Sequence, residues 1–243
     1  MRTRTKIGIG FIVVLALFVG LIFWAKAGLS SFLYPVAPAM PPEVPESMTQ
    51  ILTRLEQALQ TNAPFVLAEL QPGLSDSEIA LLERQNGITL PEDIKAIYRW
   101  HNGSPQATNN LPIDFIPTHR FMPLHEALAE RSQLAKVEPT AAARLAHRIF
   151  VSHRDSWLSI LSDGAGDGYW YDPKRAASQG AVFYNFTEDA TFVFFPSAKN
   201  LMAGIVKCYE QGAFKLKQNS SPPELDEDFD KAEKIWPEFG VFK

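Results

Sequence analysis

Trp157-Leu158-Ser159-Ile160-Leu161 and Gly168-Tyr169-Trp170-Tyr171-Asp172 flank Ser162-Asp163-Gly164-Ala165-Gly166-Asp167. Aromatic and branched residues fill the two outer runs, which read as short strands. Glycine and aspartate fill the gap, as a tight turn requires. Residues 149–152, 181–186 and 191–195 repeat the pattern on either side. A parallel crossover takes about a dozen residues or more, so these closely spaced strands pair antiparallel. Alternation puts Tyr169 and Tyr171 on one sheet face and Trp170 on the other. One face is expected to be core and the other to offer binding surface.

Helices are expected on both sides of this run. Ser47 and Gln50 form a capping box before Ile51, Leu52, Leu55 and Leu59, and Ser75 and Glu78 form another before Ile79 and Leu82. Pro91 suits a first helical turn, with Glu92 and Asp93 at the positive end of the dipole. Ile94, Ile97 and Tyr98 supply that helix's apolar stripe, and Asn102-Gly103 stops it. Residues 124–135 and 139–148 also read as helices. Ser197 caps a helix carrying Leu201, Ile205, Val206 and Tyr209. A last, acidic helix is expected over 222–236, from the capping box of Ser221 and Glu224 to Pro237. Helices, strands, then helices define one α+β domain with a mainly antiparallel sheet.

The N-terminus differs from the rest. Arg2, Arg4 and Lys6 precede an uncharged apolar run from Ile7 to Trp24. A membrane-spanning helix needs roughly 17–25 such residues, and the apolar region of a signal peptide only about 7–15. Residues 1–27 are therefore read as a transmembrane anchor, although Ala25-Lys26-Ala27 has the form of a cleavage site. The basic flank places the N-terminus in the cytoplasm and the body outside it. Five prolines between Pro35 and Pro45 make 28–46 a semi-rigid stalk, leaving 47–243 as the domain.

Of the 243 residues, 23 are basic and 27 acidic, and residues 1–30 hold four of the bases and no acid. The body therefore carries a charge of -8, which argues against nucleic acid and suits a cationic partner. A single cysteine, Cys208, excludes a disulfide scaffold. The five histidines show no metal-ligand spacing, and no nucleophile elbow or phosphate loop occurs. No catalytic residue, metal or cofactor is expected.

The order of several motifs resembles a known family. Glu83 on a helix is followed by Leu90-Pro91-Glu92-Asp93, Tyr98, Asn102-Gly103 and Phe121-Met122-Pro123-Leu124, then Trp157 and the Asp163–Asp172 segment. Over roughly residues 47–215 the chain looks like the SUKH superfamily, which includes fungal cell-wall assembly regulators and bacterial toxin-immunity proteins. The resemblance implies an α+β domain that binds proteins and has no established catalytic centre.

The expected function is membrane-anchored, non-catalytic protein binding in cell-envelope regulation or toxin immunity, with a basic toxin or an envelope complex as partner. Candidate contact residues are Trp157, Asp163, Asp167, Tyr169, Trp170, Asp172, Asp226 and Asp228, because aromatic anchors and complementary charge dominate such contacts. Glu83, Leu90, Pro91, Asp93, Tyr98, Asn102 and Gly103 are expected to shape the fold. The alternative is an envelope hydrolase using acids of the Asp163–Asp172 loop.

Overall fold

The computed structural model describes residues 40–105, 114–134, 156–174, 180–185 and 193–242. The expected anchor, most of the expected stalk, the helix at 139–148 and the strand at 149–152 lie outside these residues. Among the described residues, no helix is long and apolar enough to cross a membrane.

Helix α1 (Met48–Asn62) starts at the Ser47–Gln50 capping box and buries Ile51, Leu52, Leu55 and Leu59. A short α2 (Pro64–Glu69) follows. Helix α3 (Asp76–Asn86) starts at the Ser75–Glu78 box and ends on Gly87, whose φ is 60°. In α4 (Glu92–Trp100), Pro91 is the N-cap, one residue earlier than the first-turn position expected. Helix α5 (Leu124–Leu134) leads toward the sheet. Helix α6 (Ala198–Glu210) is capped by Ser197 and almost wholly buried.

Six antiparallel strands form one sheet in the order β1 (Arg120–Phe121), β2 (Leu158–Ser162), β3 (Gly168–Asp172), β4 (Ala181–Asn185), β5 (Val193–Phe195) and β8 (Val241–Phe242). A separate hairpin joins β6 (Phe214–Leu216) to β7 (Leu225–Glu227). Helix α5 packs on β2, and α6 packs on α1, β4 and β5. The fold is thus a single α+β domain with an antiparallel sheet and helices.

Register sorts the aromatic residues. Tyr169 pairs with Tyr184 and Tyr171 with Val182, while Trp170 pairs with Phe183 and Phe183 with Phe194. The first set joins the core formed with the helices, and the second forms its own cluster with Trp157 and Ala181. The expected alternation therefore holds, but the expected open face does not. Trp157 is 1% exposed, Trp170 6% and Tyr169 9%. Trp157 meets Phe183 edge-on at 4.2 Å, the geometry that ring quadrupoles favour.

The C-terminal region departs from its expected helix. Residues 225–227 are strand β7, and α7 (Phe229–Ile235) starts only after Asp228, which caps it by accepting the Lys231 amide. Leu225 pairs with Leu216, and Lys217 N donates to Glu224 O at 2.8 Å. Ser220, not Ser221, closes the intervening turn: its hydroxyl donates to Lys217 O and accepts from Glu224 N. Strand pairing here overrides a helical period.

The end of the expected stalk also belongs to the domain. The compact unit begins at Met40. Pro42 O accepts from Asn200 Nδ2 at 3.0 Å, Val44 N donates to Asn200 Oδ1 at 3.3 Å, and Lys199 pairs with Glu43.

Candidate functional site

The β2–β3 turn is held by one carboxylate. Asp163 Oδ1 accepts from the amides of Ala165 (2.8 Å), Gly166 (3.1 Å) and Asp167 (2.9 Å). Asp163 N donates to Asp167 O at 3.0 Å, which closes the loop. This is turn chemistry, with an aspartate side chain standing in for backbone acceptors. Asp172, expected as a contact or catalytic acid, is 2% exposed and accepts the Lys174 amide at 2.9 Å. Among the described residues, no cluster of three or more His, Cys, Asp or Glu could hold a metal. Asp163→Ala is expected to cost about 1–2 kcal/mol in urea unfolding, and Asp163→Asn, which keeps the acceptor, less than about 1 kcal/mol. Equal losses would show that the negative charge, not the acceptor, matters.

A polar group that the sequence did not reveal lies close to this turn. His119 is 7% exposed, and its Nε2 is 2.8 Å from the Tyr184 hydroxyl. Its Nδ1 is 3.1 Å from Pro117 O, which can only accept. Nδ1 also lies 3.0 Å from the Thr118 hydroxyl, which can donate or accept, so each ring nitrogen has a hydrogen-bond partner in either neutral tautomer. The His119 ring packs edge-on against Tyr169 and Tyr184. Burial, then Asp167 and Asp163, push the Tyr184 phenol up to about 12, so it stays neutral. Burial holds His119 below the ordinary imidazole value, against the opposing pull of Pro117 O, Asp163 and Asp167. The unfolded chain thus takes up this proton first as the pH falls. Its contribution to stability is intact above about pH 6.5 and is lost as the pH falls from there toward the lower folded value. The stability difference between the native chain and His119→Gln should shrink between pH 7.5 and 5.5, by urea midpoints. A difference independent of pH would refute this.

The motif residues build one wall of a cleft. Glu83 Oε1 accepts the Leu90 amide at 2.7 Å and lies 3.0 Å from Lys95 Nζ. Burial raises the Glu83 carboxyl, but these two partners outweigh it and hold the group below its usual value. The α3–α4 loop is thereby fixed at Leu90 and Pro91. Across from it stand Leu158 and Tyr171 of the sheet, with Arg131 and Lys174 beside them, around a cleft of about 200 Å³. Tyr98 is fully buried and stacks on Phe121 at 5.6 Å. Helix α4 ends ahead of the expected Asn102-Gly103 stop, with His101 as its extended C-cap. Asn102 Oδ1 accepts the Leu124 amide at 3.0 Å, so the pair instead joins the end of α4 to the start of α5. Asp93 faces Lys199 and Glu43, and burial raises its carboxyl.

Lysines pair with two acids of the expected acidic face. Glu224 lies 2.7 Å from Lys217, while Lys215 and Lys231 both approach Asp228 at 3.8 Å. Asp226 remains exposed. Cys208 is free and buried, and burial pushes its thiol up, as suits an inert core residue.

Fold and motif together define an α+β domain whose recognisable residues brace a loop and a cleft wall. The model of the SMI1 / KNR4 family (SUKH-1) matches residues 73–204, more than half of the chain, and the protein belongs to that family. This match lies inside the 47–215 span of the sequence resemblance. No curated protein matches the chain.

Proposed function

We propose that this protein is a membrane-anchored, non-catalytic protein-binding module acting in cell-envelope regulation or toxin immunity. Family membership carries the reading, because SUKH domains are immunity or regulator modules. The engagement of Asp163 in its own turn supports binding over hydrolysis. Burial of Asp172 weighs the same way. The apolar run of residues 7–24 and its basic flank support an anchor over 1–27, with the N-terminus cytoplasmic and the domain outside. Residues 28–39 then serve as the stalk, and 40–46 as the arm seated on the domain. The body's charge of -8 favours approach of a partner with net positive charge.

Topology and neighbours can be read in one experiment. A proximity-labelling enzyme is fused after Lys243, and a reporter cysteine replaces exposed Gln218, while buried Cys208 stays silent. Labelling of the Gln218→Cys chain by an impermeant maleimide in intact cells, with envelope proteins as neighbours, is expected. Labelling only after lysis, with cytoplasmic neighbours, overturns the orientation and favours immunity to an intracellular toxin.

A further inference from the structure

We infer that the cleft beside the family motif receives an acidic side chain of a partner protein, with an apolar neighbour seated on the cleft floor. This rests on the protein-binding reading above and names the chemistry of the contact.

The floor is apolar: Leu90 and Leu158 are buried, and Pro91 and Tyr171 flank them. The polar side of the cleft is cationic. Arg131 and Lys174 are its charged lining residues, and no acid lines it among the described residues. Arg131 stands in the last turn of α5 and makes no ion pair with another described residue. Two of the acids near it are engaged elsewhere, and the third, Glu130, is half-buried with one carboxylate oxygen that has no hydrogen-bond partner among the described residues. Glu126 pairs with Arg120 at 2.6 Å, and Glu130 is half-buried beside Ser159. Asp172 is turned to the Lys174 amide. Arg131 thus presents positive charge beside a partly apolar surface, where a charge-assisted hydrogen bond to a carboxylate is stronger than a neutral one. A planar guanidinium offers it two parallel donors.

Size selects the ligand class. A cofactor or drug-sized ligand takes roughly 300–1,000 Å³. A cleft of about 200 Å³ accommodates side chains of a docked segment instead. The wall is also rigid, because Glu83 and Lys95 brace Leu90, so little ordering entropy is lost on binding. Net charge and local charge have separate roles. The acidic body attracts a basic partner from a distance, and the cleft then selects one acidic residue within it.

The test uses the full-length chain in detergent and peptides Gly-Leu-Glu-Leu-Gly-amide whose N-terminal amine carries an uncharged coumarin fluorophore, with Gln or Lys replacing Glu in two others. Amidation leaves the glutamate as the only carboxylate. By fluorescence anisotropy, the Glu peptide is expected to bind about tenfold tighter than the Gln peptide, with the advantage fading at high salt. Arg131→Gln should abolish the difference, and Arg131→Glu should reverse it in favour of the Lys peptide. Equal binding of all three peptides, or a preference untouched by the Arg131 variants, overturns the inference. An envelope neighbour captured by proximity labelling separates the two readings. If Arg131→Glu weakens its binding, the cleft is its seat. If it binds the native chain and Arg131→Glu equally, the acidic contact is wrong while the protein-binding reading stands.

Discussion

Asn200→Ala should destabilise the domain by about 3–4 kcal/mol, among the largest losses available from a single side chain. Asn200 is fully buried and uses both ends of its amide. Oδ1 accepts from Val44 N at 3.3 Å and Ser197 Oγ at 2.8 Å. Nδ2 donates to Pro42 O at 3.0 Å and Phe239 O at 3.2 Å. One residue thus joins the N-terminal arm, the cap of α6 and the turn before β8. Alanine leaves two donors and two acceptors without this partner, and each orphaned buried group costs about 1–3 kcal/mol, although such costs do not add fully. Asn200→Asp keeps the volume and both accepted bonds but turns the donating end into an acceptor facing two carbonyls. It should be at least as damaging. Urea unfolding gives the loss, and limited proteolysis within residues 40–46 reports release of the arm. A loss below about 1 kcal/mol for both variants would mean that the arm is held by Glu43 and Lys199 alone.

That asparagine marks where sequence reading stops. Ser197 is legible as a cap because its bond to Asn200 N is local, and the two capping boxes at Ser47 and Ser75 are legible for the same reason. Strand β3 runs from Gly168 to Asp172 as read, because aromatic density and a glycine–aspartate turn are local signals. The partners of Asn200 across the arm lie 156 and 158 positions away, and no pattern in the chain announces them. The same holds for His119 and Tyr184, 65 positions apart. Alternation assigned Trp170 to its face correctly but could not show that this face is also buried. Hairpin β6–β7 escaped because its strands have three residues each, while Leu225, Phe229 and Ala232 mimic a helical stripe. The motif residues were recognisable by order. What they build was not, since the cleft joins Pro91 to Arg131 and Tyr171 from separate elements.

Gly103→Ala is the second large effect expected, and its control is built into the same fold. Gly103 has a φ of 71°, where a residue with a Cβ loses about 1–2 kcal/mol from backbone strain alone. A Cβ here would also lie 2.5 Å from Pro123 N, 2.7 Å from Met122 C and 2.7 Å from Phe121 O. These are backbone atoms, so no side chain can rotate aside. The chain cannot easily withdraw, because Gln71 N donates to Gly103 O at 2.8 Å and Ser104 N to Phe121 O at 2.9 Å. Gly87 has nearly the same φ, 60°, but nothing lies within 4 Å of its Cβ position. Gly87→Ala should therefore cost only about 1 kcal/mol, whereas Gly103→Ala should cost more than about 3 kcal/mol. Urea midpoints measured in parallel isolate the steric part, because strain from positive φ is common to both. Equal costs would mean that segment 121–123 shifts freely and that Gly103 is not wedged against it. A gap of about 2 kcal/mol or more would mean that the pair splices α4 to α5. Its place in the motif would then follow from packing against Phe121-Met122-Pro123-Leu124, the motif segment that comes next in the chain.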